Sequence, residues 1–407
     1  MSEQARALCR GQPDKAQGIG CLAVSSRAGL GDSESAVLAT SRASGTVDIL
    51  NPCAAELLAS IPAAAPASNG ASNGSSSSSS SISSHSEAAA VRGLHWVWAG
   101  GAAEGAPALP ALLTVTQGGA ARLHAAVPWP TEDEGTSWEQ LRAWQVPVEV
   151  CCTAYDPGSS RLAVGCQGTE LRLFDAAAGQ LVYAAKGGRP NKVGLVDKPW
   201  NTALAFLPDV ARGAAPTAAG SSQGSSDSGS GNVLLVGTGY HKLRLYDVRA
   251  GKRPQAELAF GDARITALAP EPDGLRCWVG TGLGQLEVLD LRTLKLAGGI
   301  RGIAGSLRAL AVHPQRPILA SVGLDRFLRL HDTRTRQPLA KVYLKQQLTG
   351  VQFCPVTPEM LPQQQAGQHA EQQQDGDAED RKARKKEKRR KEGGGSSSKK
   401  EKRTKKA

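Results

Sequence analysis

Gly280, Gly282 and Gly284 stand in VGTGLGQLEVLD with the spacing of a phosphate-cradling loop. Such a loop needs a helix after its glycines, so that backbone N–H groups and the helix dipole face the anion. Here the run Leu286-Glu287-Val288-Leu289 follows, and alternation at period two is the grammar of a strand. A near copy, VGTGYHKLRLYD from Val236 to Asp247, puts Tyr240 and His241 where the first has Leu283 and Gly284. Both stretches therefore read as hairpins whose turn favours glycine, not as a nucleotide site. The other residues suited to chemistry are scattered. Cys9, Cys21, Cys53, Cys151, Cys152, Cys166, Cys277 and Cys354 form no CxxC pair and no Cys/His set with zinc spacing. Most lie in apolar runs, where a thiol packs as a small hydrophobe. His313 precedes a turn proline and His331 takes a strand aromatic's place, so both read as structural. No catalytic, metal or cofactor site is expected.

The hairpin recurs. LAVGCQGTELRLFD (162–175), LLVGTGYHKLRLYD (234–247), CWVGTGLGQLEVLD (277–290) and LASVGLDRFLRLHD (319–332) align on their final Asp. Weaker copies are VLATSRASGTVDILN (37–51) and LLTVTQGGAARLHA (112–125). A further strand precedes each hairpin: GCLAV, GLHWVW, VCCTAYDP, ALAFLPD, ALAPEPDG and ALAVHP, with VQFCP (351–355) as a seventh. Asp247, Asp290 and Asp332 lie 43 and 42 residues apart, the period of a WD-type β-propeller blade. The Trp-Asp pair is degenerate (Phe174-Asp175, Tyr246-Asp247, Leu289-Asp290, His331-Asp332), and only Asp325 holds the acid of a strong WD hairpin turn. The expectation is an all-β, seven-bladed WD-repeat propeller whose last blade is incomplete, the sequence starting downstream of a missing strand pair. The innermost strands offer no convergent acids or metal ligands, which argues against a propeller enzyme.

The propeller is expected over 18–356, after a disordered segment at 1–17. Low-complexity insertions near 61–90 and 209–231 interrupt it, and a Gln-rich, acidic linker at 357–380 follows. These segments have too little apolar surface to offset the entropy of ordering. The net charge of +11 is concentrated at the end of the chain. Residues 381–407 hold 15 Lys/Arg against 3 Glu, so the remainder is close to neutral. The run Arg381, Lys382, Arg384, Lys385, Lys386, Lys388, Arg389, Arg390, Lys391 suits a nuclear-import receptor or RNA phosphates. There is no apolar run long enough to span a bilayer and no apolar leader at the start of the sequence. A nuclear or cytosolic setting is expected.

NVLLVGTGYHKLRLYDVRAGKRP (232–254) and the stretch from Gly284 to Val351 resemble the WD repeat-containing protein 74 family, nucleolar factors of large ribosomal subunit assembly. RPNKVGLVDKPWNTALAFLP (189–208) is similar more weakly, and a Lys-rich tail is a family habit. The resemblance implies a nucleolar, non-enzymatic scaffold that binds precursors of the large subunit, other assembly factors and pre-rRNA. It also implies release by an AAA-type ATPase, and neither a small-molecule substrate nor a membrane. A nuclear WD-repeat adaptor of a chromatin or ubiquitin-ligase complex is the competing reading.

Three groups are candidates for an interaction surface. Tyr240 and His241 form a bulky pair at a turn, where an interface and local packing explain them equally. Arg189, Lys192, Lys198 and Trp200 lie in a loop between strands, suited to RNA or a protein partner, although Trp200 also suits a blade cap. Lys341, Tyr343 and Lys345 give an alternating outer strand either an interface or a solvated basic face.

Overall fold

The computed structural model describes residues 18–25, 37–52, 56–63, 90–99, 109–127, 137–188, 198–208 and 231–354. They form six four-stranded antiparallel sheets, each made of consecutive strands. The first blade is β1 (Ile19–Ser25), β2 (Val37–Arg42), β3 (Val47–Asn51) and β4 (Glu56–Ile61). The second is β5 (Val91–Ala99), β6 (Leu109–Thr116), β7 (Ala120–Val127) and β8 (Ser137–Gln145). The third is β9 (Val150–Asp156), β10 (Arg161–Cys166), β11 (Arg172–Asp175) and β12 (Leu181–Ala184). The fourth is β13 (Asn201–Leu207), β14 (Val233–Thr238), β15 (Lys242–Asp247) and β16 (Ala256–Ala259). The fifth is β17 (Ile265–Pro270), β18 (Arg276–Thr281), β19 (Leu286–Asp290) and β20 (Lys295–Ile300). The sixth is β21 (Leu307–Val312), β22 (Ile318–Gly323), β23 (Phe327–Asp332) and β24 (Pro338–Tyr343).

The repeated hairpins are β2–β3, β6–β7, β10–β11, β14–β15, β18–β19 and β22–β23, and the preceding apolar runs are the first strands of the blades. First strands of successive blades pack side by side, β1 on β5 through β17 on β21. The core fills the spaces between blades. Trp278, Leu286 and Val288 of the fifth blade meet Leu307 and Leu319 of the sixth. Leu243 and Leu245 of the fourth meet Cys277, Val279 and Leu289 of the fifth. Each fully buried Leu contributes about 1.5–3 kcal/mol. Blade faces carry alternating residues, so both faces of a middle blade are apolar.

The expected seven blades are corrected to six among the described residues. The seventh candidate strand, Val351–Pro355, falls partly outside them, and Val351–Cys354 carry no strand structure. A strand needs a ladder partner, and no hairpin follows this segment within the described residues. Residues 344–350 instead run from the sixth blade to the first. Leu344 N donates to Arg326 O at 2.9 Å, and Thr349 Oγ1 donates to Ile19 O at 2.8 Å. Phe353 packs edge-on against His313 at 5.0 Å between ring centroids. Residues 1–17, 64–89, 209–230 and 355–407 lie outside the described residues, and with them the expected tail, linker and most of both insertions.

Candidate interaction surface

The two ends of the blades carry different turns, and the repeat itself sets the difference. At one end lie the turns after β11, β15, β19 and β23. Here the repeat Asp ends the third strand and caps the turn. Asp290 Oδ1 accepts N–H bonds from Arg292 (2.9 Å) and Thr293 (3.2 Å), and Asp332 Oδ1 from Arg334 (2.7 Å) and Thr335 (3.0 Å). Those turn N–H groups hold both carboxyls below the usual carboxylate range. Asp175 and Asp247 cap in the same way. This is the Asp face.

The opposite end, the connection face, carries the hairpin turns and the links between blades. Each turn rests on a link: Gly239 N donates to Trp200 O (2.9 Å), Gly282 N to Arg264 O (3.0 Å) and Leu324 N to Ser306 O (3.0 Å). Two of the expected groups meet here. The Trp200 and Tyr240 rings pack edge to face, 5.7 Å apart, with Gly239 against the Trp200 ring. A Cβ on Gly239 would stand 2.2 Å from Trp200 Cε3. Gly239→Ala is therefore expected to cost about 1–3 kcal/mol by displacing the indole; an unchanged thermal midpoint would show that the ring swings aside freely.

His241 adopts φ 51° and Arg326 φ 68° in turns where the first, second and fifth blades place Gly45, Gly119 and Gly284. Left-handed backbone disfavours a side chain by about 1–2 kcal/mol. The missing glycines were the only sequence signal for this pair. Lys198 is exposed beside Trp200, whereas Arg189 and Lys192 lie outside the described residues, as do the nine basic residues of 381–391. Lys341, Tyr343 and Lys345 do not join the Trp200 group. Lys341 Nζ sits 4.3 Å above the Phe327 ring, Tyr343 packs on Phe327 at 5.1 Å, and Arg326 Nη1 donates to Tyr343 Oη at 3.5 Å. Lys345 is exposed, with φ 60°.

A second regularity is visible only in the folded chain. The first strand of every blade has a register break near its start, leaving Gly20-Cys21, Arg92, Cys151, Thr202, Thr266 and Arg308 unpaired in the ladder. Such bulges re-aim side chains. Thr202 and Thr266 bond back to backbone carbonyls, and Arg92 donates to Gln117 Oε1 at 2.7 Å. The Arg308 side chain, which is exposed, makes no hydrogen bond or ion pair among the described residues, and neither does the side chain of Arg264 on the neighbouring link.

Chemistry elsewhere is muted. Burial pushes the Cys166 and Cys277 thiols up to about 12, which makes them poor nucleophiles. His313 Nδ1 accepts N–H bonds from Gln315 and Arg316, and His331 is buried, as their sequence positions imply. Among the described residues no group of three or more His, Cys, Asp or Glu could hold a metal, and no helix is long and apolar enough to cross a membrane.

Six four-stranded blades with a repeat-borne Asp turn define a β-propeller of the WD-repeat kind. Within that class the chain is similar to WD repeat-containing protein 74. It is 34% identical to the human protein over 224 residues, which are 54% of this chain and 53% of the relative. The mouse protein matches at 34% over the same shares. The ribosome biogenesis protein nsa1 of Schizosaccharomyces pombe is 24% identical over 182 residues, 45% of each chain. The chain spans about half the length of the curated relatives it matches. No family model matches it.

Proposed function

We propose that this chain is a ribosome biogenesis factor, a non-enzymatic scaffold that binds precursors of the large ribosomal subunit in the nucleolus and supports pre-rRNA processing. The likeness to WD repeat-containing protein 74 and to a protein named for ribosome biogenesis carries the reading. The connection face supports it, because rigid blades there present aromatic and cationic side chains together. Residues 18–356 form the recognition unit, with insertions on its loops. The segment 357–380 links it to 381–407, whose Lys and Arg direct the chain to the nucleus and nucleolus. Other assembly factors and pre-rRNA are its partners, and an AAA-type ATPase releases it.

Gradient sedimentation tests this. Full-length chain and a 1–380 version are both expected to travel with large-subunit precursors and to resist high salt. If only the full-length chain travels and salt strips it, tail electrostatics alone explain the binding. If neither travels, the chromatin or ubiquitin-ligase adaptor takes over.

A further inference from the structure

We propose that the connection face of the fourth to sixth blades is a docking site for single-stranded RNA, in which Arg264 and Arg308 hold phosphates, Trp200 and Tyr240 take a base, and His241 and Arg326 flank the track. The inference rests on the ribosome-assembly reading and names the surface and the ligand chemistry within it.

Three independent observations carry it. First, Arg264 and Arg308 occupy the starts of neighbouring innermost strands, both exposed, with no carboxylate bonded to either among the described residues. Burial, and after it the nearby Arg264 charge, lowers the Arg308 pKa, so the two side chains lie within electrostatic reach of each other. Two guanidiniums kept together without an acid leave an unmet demand for an anion. The exposed acid of the same link is Asp262, while Asp325 of the next turn is committed to Arg329 at 2.5 Å. The Asp that closes the third strand of the third to sixth blades sits at the far end, on the Asp face.

Second, the aromatic pair lies on the adjoining blade of the same face, with Tyr240 39% exposed. A base stacks on such a ring whatever its identity, and a phosphate lies next to every base. Third, His241 and Arg326 hold a left-handed backbone that glycine would adopt without strain, and the corresponding turns of the first, second and fifth blades do place glycine there (Gly45, Gly119 and Gly284). The two turns therefore carry an imidazole and a guanidinium at their tips, beside the aromatic pair and the two arginines. An acidic peptide would satisfy the arginines, but it has no use for a stacking platform beside them.

The test uses the full chain and a mixed-sequence 20-nucleotide RNA containing 4-thiouridine. Ultraviolet crosslinking followed by peptide mapping is expected to mark the peptides holding Trp200 and Tyr240. The Arg264→Ala/Arg308→Ala variant is expected to bind about tenfold more weakly and to lower the slope of log K against log salt by roughly one to two. Arg308→Lys keeps most of the affinity. His241→Gly and Arg326→Gly are expected to bind more weakly with a thermal midpoint no lower than the parent's, which separates lost contact from lost fold. Crosslinks confined to 381–407, with affinity and slope unchanged in the double variant, overturn the proposal. So does displacement of the RNA from the parent, but not from the double variant, by a poly-glutamate peptide that itself binds more tightly than RNA, which would assign the face to an acidic protein. Either result leaves co-sedimentation with large-subunit precursors as a separate outcome, because protein contacts on other blades can carry it.

Discussion

Arg244→Ala is expected to cost about 3–5 kcal/mol, the loss that follows when one partner of a buried ion pair is removed. The Arg244 side chain is 4% exposed on β15, and its Nε lies 2.9 Å from Glu257 Oε2 on β16. Its Nη1 lies 4.0 Å from Glu170 Oε1, which belongs to the hairpin turn of the preceding blade. The guanidinium therefore bonds within its own blade and offsets a carboxylate at the joint between the third and fourth. Burial holds the Glu170 pKa up and Arg244 pulls it down, while Glu257 adds to the rise. Without Arg244, Glu170 is left as a half-buried acid beside Glu257, and its pKa is raised further. The sign follows. An acid whose folded pKa is raised binds more protons folded than unfolded just above its unfolded value, so stability falls as pH rises through that window. The variant's deficit is accordingly larger at pH 7.5 than at pH 5. Arg244→Met, which restores packing with no charge, and Glu170→Gln in the Arg244→Ala background are each expected to recover part of it. Urea titrations at the two pH values read all of this; a deficit under about 1 kcal/mol that ignores pH would falsify the account.

What the sequence revealed was the part of the structure that repeats. Alternation and the spaced Asp gave the hairpins, because period-two burial and turn caps are local demands written once per blade. The number of blades was a different matter. VQFCP has the composition of an innermost strand, but being a strand depends on a hydrogen-bonded neighbour, and no pattern within five residues records one. The candidate surface divided along the same line. Trp200 and Tyr240 drew notice as bulky residues in turns, yet their meeting depends on Gly239 lying flat under the indole, a contact across 40 residues of chain. Arg264 and Arg308 drew none. A lone Arg near the start of an apolar run is ordinary, and only the repeated bulge and the side-by-side packing of innermost strands bring the two together. Lys341, Tyr343 and Lys345 were read as one basic strand face. In the folded chain the Phe327 ring gathers Lys341 and Tyr343, a neighbour the alternation alone does not reveal.

Acid is expected to weaken the propeller through His95 before the carboxylates titrate. His95 stands on β5, its Nε2 2.8 Å from Thr153 Oγ1 on β9 and its ring beside Tyr155, so it is part of the joint between the second and third blades. Burial lowers its pKa to about 4. At pH 7 the imidazole is neutral in the folded chain and mostly neutral in the unfolded one, so it contributes little pH dependence. Below about 6.5 the unfolded chain takes up a proton that the folded chain refuses until about 4. Stability therefore falls as pH falls through that window, by about 3 kcal/mol when the whole of it is crossed. His124 and His331, whose pKa values burial also lowers, add to the loss with the same sign, and Glu170 opposes it. Gln at position 95 keeps a neutral amide within reach of Thr153 and cannot be protonated. His95→Gln is expected to sacrifice about 1 kcal/mol at pH 7 through imperfect packing, yet to lose about 2 kcal/mol less than the parent between pH 7 and pH 4.5. Urea midpoints at pH 7.0, 5.5 and 4.5 measure the difference. Parallel losses in the two proteins would mean that His95 takes up its proton while folded, and that the second and third blades part at this joint without the rest of the ring unfolding.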